Sequence, residues 1–133
     1  MEGSLKDVAL VRIERAEEML ASAKDNFERD DLKTALNRSY YAIFHAMRSV
    51  NCLDGFDSSK HSGVIAHFNQ FILKEGKMNP QYSGIIKKAS YRREKSDYDD
   101  FYVVSRKETE EQSQNAEVFV EDVRKYLNLE LSK

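Results

Sequence analysis

Residues 32–52 read LKTALNRSYYAIFHAMRSVNC, and the fold turns on how this stretch is read. Leu32, Ala35, Leu36, Ile43, Ala46, Met47 and Val50 recur at the spacing that puts them on one face of a helix. At about 3.6 residues per turn, Arg38, Tyr41, His45, Ser49 and Cys52 fall together on the other side, with Ala42 at the edge. A helix with a clean apolar stripe and a second, mixed face is contacted on two sides. It is therefore expected at the centre of a bundle or at a subunit interface.

The flanks repeat the helical pattern. Before this stretch, Asp30-Asp31 breaks the chain, and either residue is suited to cap the helix that follows. A first helix is predicted from about Ser4 to Arg29, with Ala16, Met19, Leu20, Ala23 and Phe27 on one face. After it, Leu53-Asp54-Gly55-Phe56-Asp57 reads as a loop. A third helix is predicted from Ser58 or Ser59 to near Gly76, with Val64, Ile65, Phe68, Phe71 and Ile72 inward. Asn79-Pro80 supplies an N-cap and a first-turn proline for a fourth, which carries Tyr82, Ile85, Ile86 and Ala89 and loses its pattern around Ser96. Residues 97–102 read as a loop or short turn. Ser105-Arg106-Lys107-Glu108 has the spacing of a capping box, opening a fifth helix to about Asn128 with Ala116, Phe119, Val123, Tyr126 and Leu127 inward. Short loops between long helices predict an all-α, up-and-down antiparallel bundle of four to five helices, with residues 1–133 as one domain.

Composition agrees. One proline and five glycines in 133 residues are too few turn formers for an all-β domain of this length. With 41% hydrophobic and 33% charged residues the chain is globular rather than disordered. Lys and Arg number 21 against 23 Asp and Glu, a net charge of −2. That argues against a general nucleic-acid coat and leaves room for a local basic patch. The longest apolar run, Tyr40–Phe44, is far short of a membrane span. Lys6, Asp7, Arg12, Glu14 and Arg15 stand where an export signal needs an apolar core, and the one cysteine, Cys52, forms no internal disulfide. The expected compartment is the cytoplasm.

No glycine-rich phosphate loop, dinucleotide fingerprint or zinc-type Cys/His spacing is present, so neither cofactor nor metal is expected. His61 and His67, six residues apart, point to different sides of a helix. Two regions stand out. In the first, Lys87, Lys88, Arg92, Arg93 and Lys95 are followed by Asp97, Asp99 and Asp100. Lys88, Arg92 and Lys95 share an exposed stripe that suits a solvated helix end. Arg93 shares the inward stripe of Ile86 and Ala89, and a buried guanidinium needs partners. Asp97 is the nearest, either as a lock pinning the loop or beside an Arg held ready for phosphate. The second region is the mixed face of the second helix. Arg38 and His45 lie two turns apart with Tyr41 between them. His45 is either a structural residue or a general acid–base group beside a phosphate-binding Arg. Tyr40, Tyr41, Tyr91, Tyr98, Phe101 and Tyr102 concentrate in the same two regions, suited to packing or to stacking on bases.

The run Asn37-Arg38-Ser39-Tyr40-Tyr41-Ala42-Ile43-Phe44-His45-Ala46-Met47 resembles the signature helix of the HEPN (higher eukaryotes and prokaryotes nucleotide-binding) domain family. Arg93-Glu94-Lys95-Ser96-Asp97-Tyr98-Asp99-Asp100 resembles its second motif, and helix count and order match over nearly the whole chain. The resemblance implies a bundle of four or five helices, a homodimer, and a small nucleotidyltransferase partner of toxin–antitoxin type. It also implies metal-independent endoribonuclease activity, in which an Arg followed four to six residues later by a His faces a shared dimer cleft. This sequence departs from that motif, because the fifth residue after Arg93 is Tyr98 and no His follows His67. The only Arg-to-His match is Arg38 to His45, with six residues between them.

These readings lead to a protein that binds nucleotide or RNA around Arg93. Arg38, Tyr41, Asp97 and Tyr98 are the candidate binding residues, and Arg93 and His45 the catalytic pair if RNA is cut. The alternative is a non-catalytic helical partner or regulator of a nucleotidyltransferase. The resemblance also makes Tyr98 a candidate for nucleotide modification by that partner.

Overall fold

The computed structural model describes residues 2–133. Its five α-helices are α1 (Glu2–Glu28), α2 (Leu32–Asn51), α3 (His61–Phe68), α4 (Tyr82–Tyr98) and α5 (Arg106–Leu131), with no strand among the described residues. The turn between α1 and α2 is tight. Asp30 takes a left-handed φ of 63°, and the Asp31 carboxylate caps α2 by accepting from the Thr34 amide at 3.3 Å. The predicted capping box forms at its serine: Ser105 Oγ accepts from the Glu108 amide at 3.1 Å.

Cross-helix pairs set the directions. Lys24 Nζ donates to Glu117 at 3.0 Å and Arg124 donates to Glu17 at 2.6 and 3.0 Å, so α1 and α5 run antiparallel. Tyr82 Oη donates to Asp122 at 2.7 Å and Arg92 Nη2 to Glu111 at 2.9 Å, which makes α4 antiparallel to α5 as well. Helix α2 is the axis of the bundle, as its two-sided pattern predicts. Leu36, Tyr40, Ile43, Met47 and Val50 are buried on one side, and Ala42 and Ser49 on the other. Ala9, Ile13, Ala16, Leu20 and Ala23 of α1 close over it, mostly small residues that allow the two helices to approach. The buried Gln112 of α5 donates to the Leu36 carbonyl at 3.1 Å and to Ser39 Oγ at 2.8 Å, a polar lock inside the core.

The third segment departs from the prediction. The α-helix starts at His61, two or three residues later than expected, and gives way to a π-helical turn over Asn69–Leu73. The wider turn rotates the face that follows, so Ile72 and Leu73 are buried while Phe71, placed inward by the regular spacing, is exposed. Arg92 also differs. It is not on a free solvated stripe, because its guanidinium reaches across to Glu111 and to the Glu108 carbonyl and ties α4 to α5. No described helix is long and apolar enough to cross a membrane.

Candidate functional site

Arg93 points inward from α4, as its stripe predicts, and 16% of its side chain remains exposed. Its Nη1 donates to Asp97 Oδ2 one turn on at 3.3 Å, and the guanidinium lies over the Tyr40 ring, 4.9 Å from its centroid. The Arg93 Nε is buried without a hydrogen-bond partner.

Tyr40 is fully buried in α2, and its hydroxyl lies 2.6 Å from Nδ1 of His61, the first residue of α3. Burial pushes the Tyr40 phenol up to about 12, with the Arg93 charge pulling the other way, so it keeps its proton at neutral pH. Burial, and then the Arg93 charge, hold His61 below the usual imidazole value, so its ring is neutral. A protonated phenol facing a neutral imidazole donates to it. Nδ1 is therefore the acceptor and the His61 proton sits on Nε2. The His61 ring stacks on Phe44 at 4.4 Å and meets Tyr41 edge-on at 5.7 Å.

The structure thus gathers Arg93, Asp97, Tyr40, Tyr41 and His61 where α2, α3 and α4 meet. His45 lies at the edge of the group, its ring 6.1 Å from Tyr41. Burial first, then the charges of Arg15, Arg48 and Arg12, push its pKa down to about 4, and its Nδ1 is buried without a partner. Arg38 is half-buried on the same helix, where Nη1 donates to Asn37 Oδ1 at 2.6 Å. Tyr98 stands apart. It is 78% exposed and lines a shallow hollow of about 380 Å³ with Tyr91, Glu94, Lys95 and Asp99. Below His45 the mixed face of α2 closes: Ser49 and Cys52 are buried, and burial raises the Cys52 thiol to about 11, which leaves it protonated.

His61 and Tyr40 are the site residues that sequence reasoning missed. His61 opens a helix after a polar loop, and Tyr40 is one aromatic among several. Nothing in local spacing pairs them, since their contact is made across 21 residues by packing. His67 belongs elsewhere. It bonds Asp54 at 3.0 Å and is sandwiched between Phe56 and Phe71, at 4.3 and 4.7 Å.

The site is an array of donors. A guanidinium and an imidazole flank Tyr40 there, with Asp97 the carboxylate bonded to the guanidinium, a set suited to anions and above all to phosphate. No group of three or more His, Cys, Asp or Glu residues able to hold a metal is found among the described residues.

Comparison with known proteins gives a consistent picture. The HEPN domain family matches residues 9–126. A Methanocaldococcus jannaschii protein named "Putative toxin MJ0605" is 37% identical, covering 86% of this chain and 85% of that protein. A Thermotoga maritima protein named as a UPF0332 protein is 31% identical, over 85% of this chain and 86% of its own. A second Methanocaldococcus jannaschii protein, "Putative toxin MJ0142", is 25% identical over 86% of this chain and 78% of that protein.

Proposed function

The chain belongs to the HEPN domain family, and from that premise we propose that it is the toxin-type member of a two-component module and binds nucleotide or RNA phosphate at Arg93. One observation carries this reading. Arg93 is a largely buried guanidinium with a single carboxylate contact and an unsatisfied Nε, set beside an imidazole whose free N–H is fixed by Tyr40. A lock that served only the fold would satisfy its buried donors. A terminal phosphate offers them three acceptor oxygens and an RNA phosphodiester two. The names of two relatives support the toxin side of the reading. The family supports a homodimer and a small nucleotidyltransferase as partner, and Tyr98 is exposed enough to be reached by such an enzyme.

The test is equilibrium binding of a fluorescein-labelled single-stranded oligoribonucleotide and of a labelled mononucleotide to the wild type and to Arg93→Gln. We expect at least a tenfold loss of affinity for both, about 1.4 kcal/mol, in a variant whose helical circular dichroism is unchanged. Equal affinities, or a wild type that binds neither probe, defeat the reading.

Binding is favoured over cleavage by the state of the two histidines. Cutting RNA through its 2′-hydroxyl needs a group that takes the hydroxyl proton near neutral pH. His45, the sequence-derived base, has a pKa of about 4. His61 presents its N–H rather than a lone pair. An RNA cleavage assay of the purified chain without added metal is expected to show no turnover. Cleavage lost in Arg93→Ala and His45→Ala would instead make the protein a nuclease with a composite site.

A further inference from the structure

A second cluster of arginines lies further along α2, toward its C-terminal end. Arg12 of α1 and Arg48 of α2 converge on Asp57, in the loop that precedes α3. Arg12 Nη2 donates to both carboxylate oxygens at 3.0 Å, and Arg48 Nη2 donates to Oδ1 at 3.1 Å. Arg15 stands one turn along α1 from Arg12. It is exposed and makes no ion pair or side-chain hydrogen bond among the described residues.

Two guanidinium groups therefore close on one carboxylate, and Arg15 adds a third positive charge that bears with them on His45, a local excess of two positive charges in a chain whose net charge is −2. The cluster is also short of acceptors. The Nε of Arg12 and the Nε of Arg48 are buried without partners, and so is Nδ1 of His45, the ring on which all three arginine charges bear. Buried donors left unsatisfied call for an explanation beyond packing. One carboxylate has two oxygens, and here they already take three hydrogen bonds. A phosphodiester carries the same charge on two non-bridging oxygens and suits the guanidinium fork equally well, so it can replace the carboxylate one for one.

Position supplies the second argument. Arg93 lies over Tyr40, and Arg48 is eight residues further along α2, an axial separation of about 12 Å at 1.5 Å per residue. Tyr41 and His45 fill the interval on the same face. A single phosphate spans no such distance, whereas phosphates two nucleotides apart along a strand do.

We propose that Arg12, Arg15 and Arg48 form a second phosphate subsite, which the Asp57 carboxylate occupies in the free protein and a phosphate of an RNA strand takes over in the complex. The inference rests on the binding role proposed above for Arg93 and narrows its ligand from a nucleotide to an oligonucleotide. Asp57 is then an internal competitor. Its loop begins after Gly55, whose φ of 81° favours glycine, and carries no regular helix until His61. Displacing it breaks two ion pairs and leaves the helices that hold Arg12 and Arg48 in place.

The experiment uses the full chain, a fluorescein-labelled single-stranded oligouridylate and labelled uridine monophosphate, titrated across a salt series. Arg15→Gln is expected to weaken oligouridylate binding several-fold, to reduce the slope of log affinity against log salt by about 0.7, and to leave the mononucleotide unaffected. Asp57→Asn is expected to tighten oligouridylate binding several-fold. Arg93→Gln weakens both probes. If Arg15→Gln and Asp57→Asn bind oligouridylate as the wild type does while Arg93→Gln loses it, the subsite is refuted and the Arg93 reading stands. A wild type that binds neither probe removes both. Should Asp57→Asn lose its helical signal, Arg15→Gln, exposed on α1, decides alone.

Discussion

Tyr40 joins the two donor groups of the site: Arg93 rests on its ring and His61 Nδ1 accepts a hydrogen bond from its hydroxyl. Removing only the hydroxyl tests that link. Tyr40→Phe keeps the stacked ring and is expected to cost about 1–2 kcal/mol, a lost hydrogen bond plus the unpaired His61 Nδ1. Nitrogen-15 chemical shifts of the His61 ring should then show a mixture of tautomers where the wild type shows the Nε2–H form alone. His45 makes a separate prediction through pH. An unfolded histidine takes its proton near pH 6.5, while His45 in the fold takes it near 4. Between those values the unfolded chain holds the extra proton. The stability contributed by neutral His45 is therefore complete above pH 6.5 and drains away as the pH falls toward 4. Urea unfolding of wild type and His45→Gln over that range should show the gap between them narrowing as the solution is acidified. Asp57 does not confuse the measurement. Burial works to raise its carboxyl, but the Arg12 and Arg48 contacts outweigh that and hold it below its usual value, beneath the window.

At the scale of the elements, the π-helical turn Asn69–Leu73 separates what the sequence shows from what it hides. Regular spacing puts Phe71 inside, yet the turn leaves it exposed and buries Leu73. Leu73→Ala should accordingly cost about 2–5 kcal/mol by opening a cavity. Phe71→Ala, which gives up mainly a contact with the His67 ring, should cost under about 1 kcal/mol. Thermal melts of the two variants decide it, and the reverse order would mean that the helix continues as a regular α-helix. The four long helices were legible because each carries an apolar stripe over several turns, bounded by residues such as Asp31 and Ser105 that cap in the structure as they read in the sequence. Arg93 was legible for the same reason, since it shares a stripe with Ile86 and Ala89. His61 was not. Its role comes from a rigid contact between the first residue of a short helix and the middle of α2, and periodicity records only which way a side chain faces, never what it meets. The Asp57 bridge was hidden in the same way, in a loop where sequence spacing has no period to follow.

For the whole molecule the open question is how many copies make the working unit. The homodimer proposed above needs apolar surface to bury. Where α4 ends, Tyr91 and Tyr98 line one hollow, and Phe101 and Val103 follow in the next few residues. Phe101 is 93% exposed and Val103 83%, more than any other large apolar side chain among the described residues. Exposed aromatics on a charged surface serve either a protein partner or the bases of a nucleic acid, and the two uses separate experimentally. If this surface joins two copies, light scattering on the eluted protein gives about twice the 15.4 kDa of one chain. Phe101→Ser, which disturbs no buried contact, then brings the mass toward a single chain. If the aromatics stack on bases instead, Phe101→Ser leaves the mass unchanged and weakens oligouridylate more than the mononucleotide. A wild type of single-chain mass would remove the dimer outright. It would also require that Arg93, His61 and the arginines around Asp57 bind their strand from one chain alone, which their placement along a single face of α2 already allows.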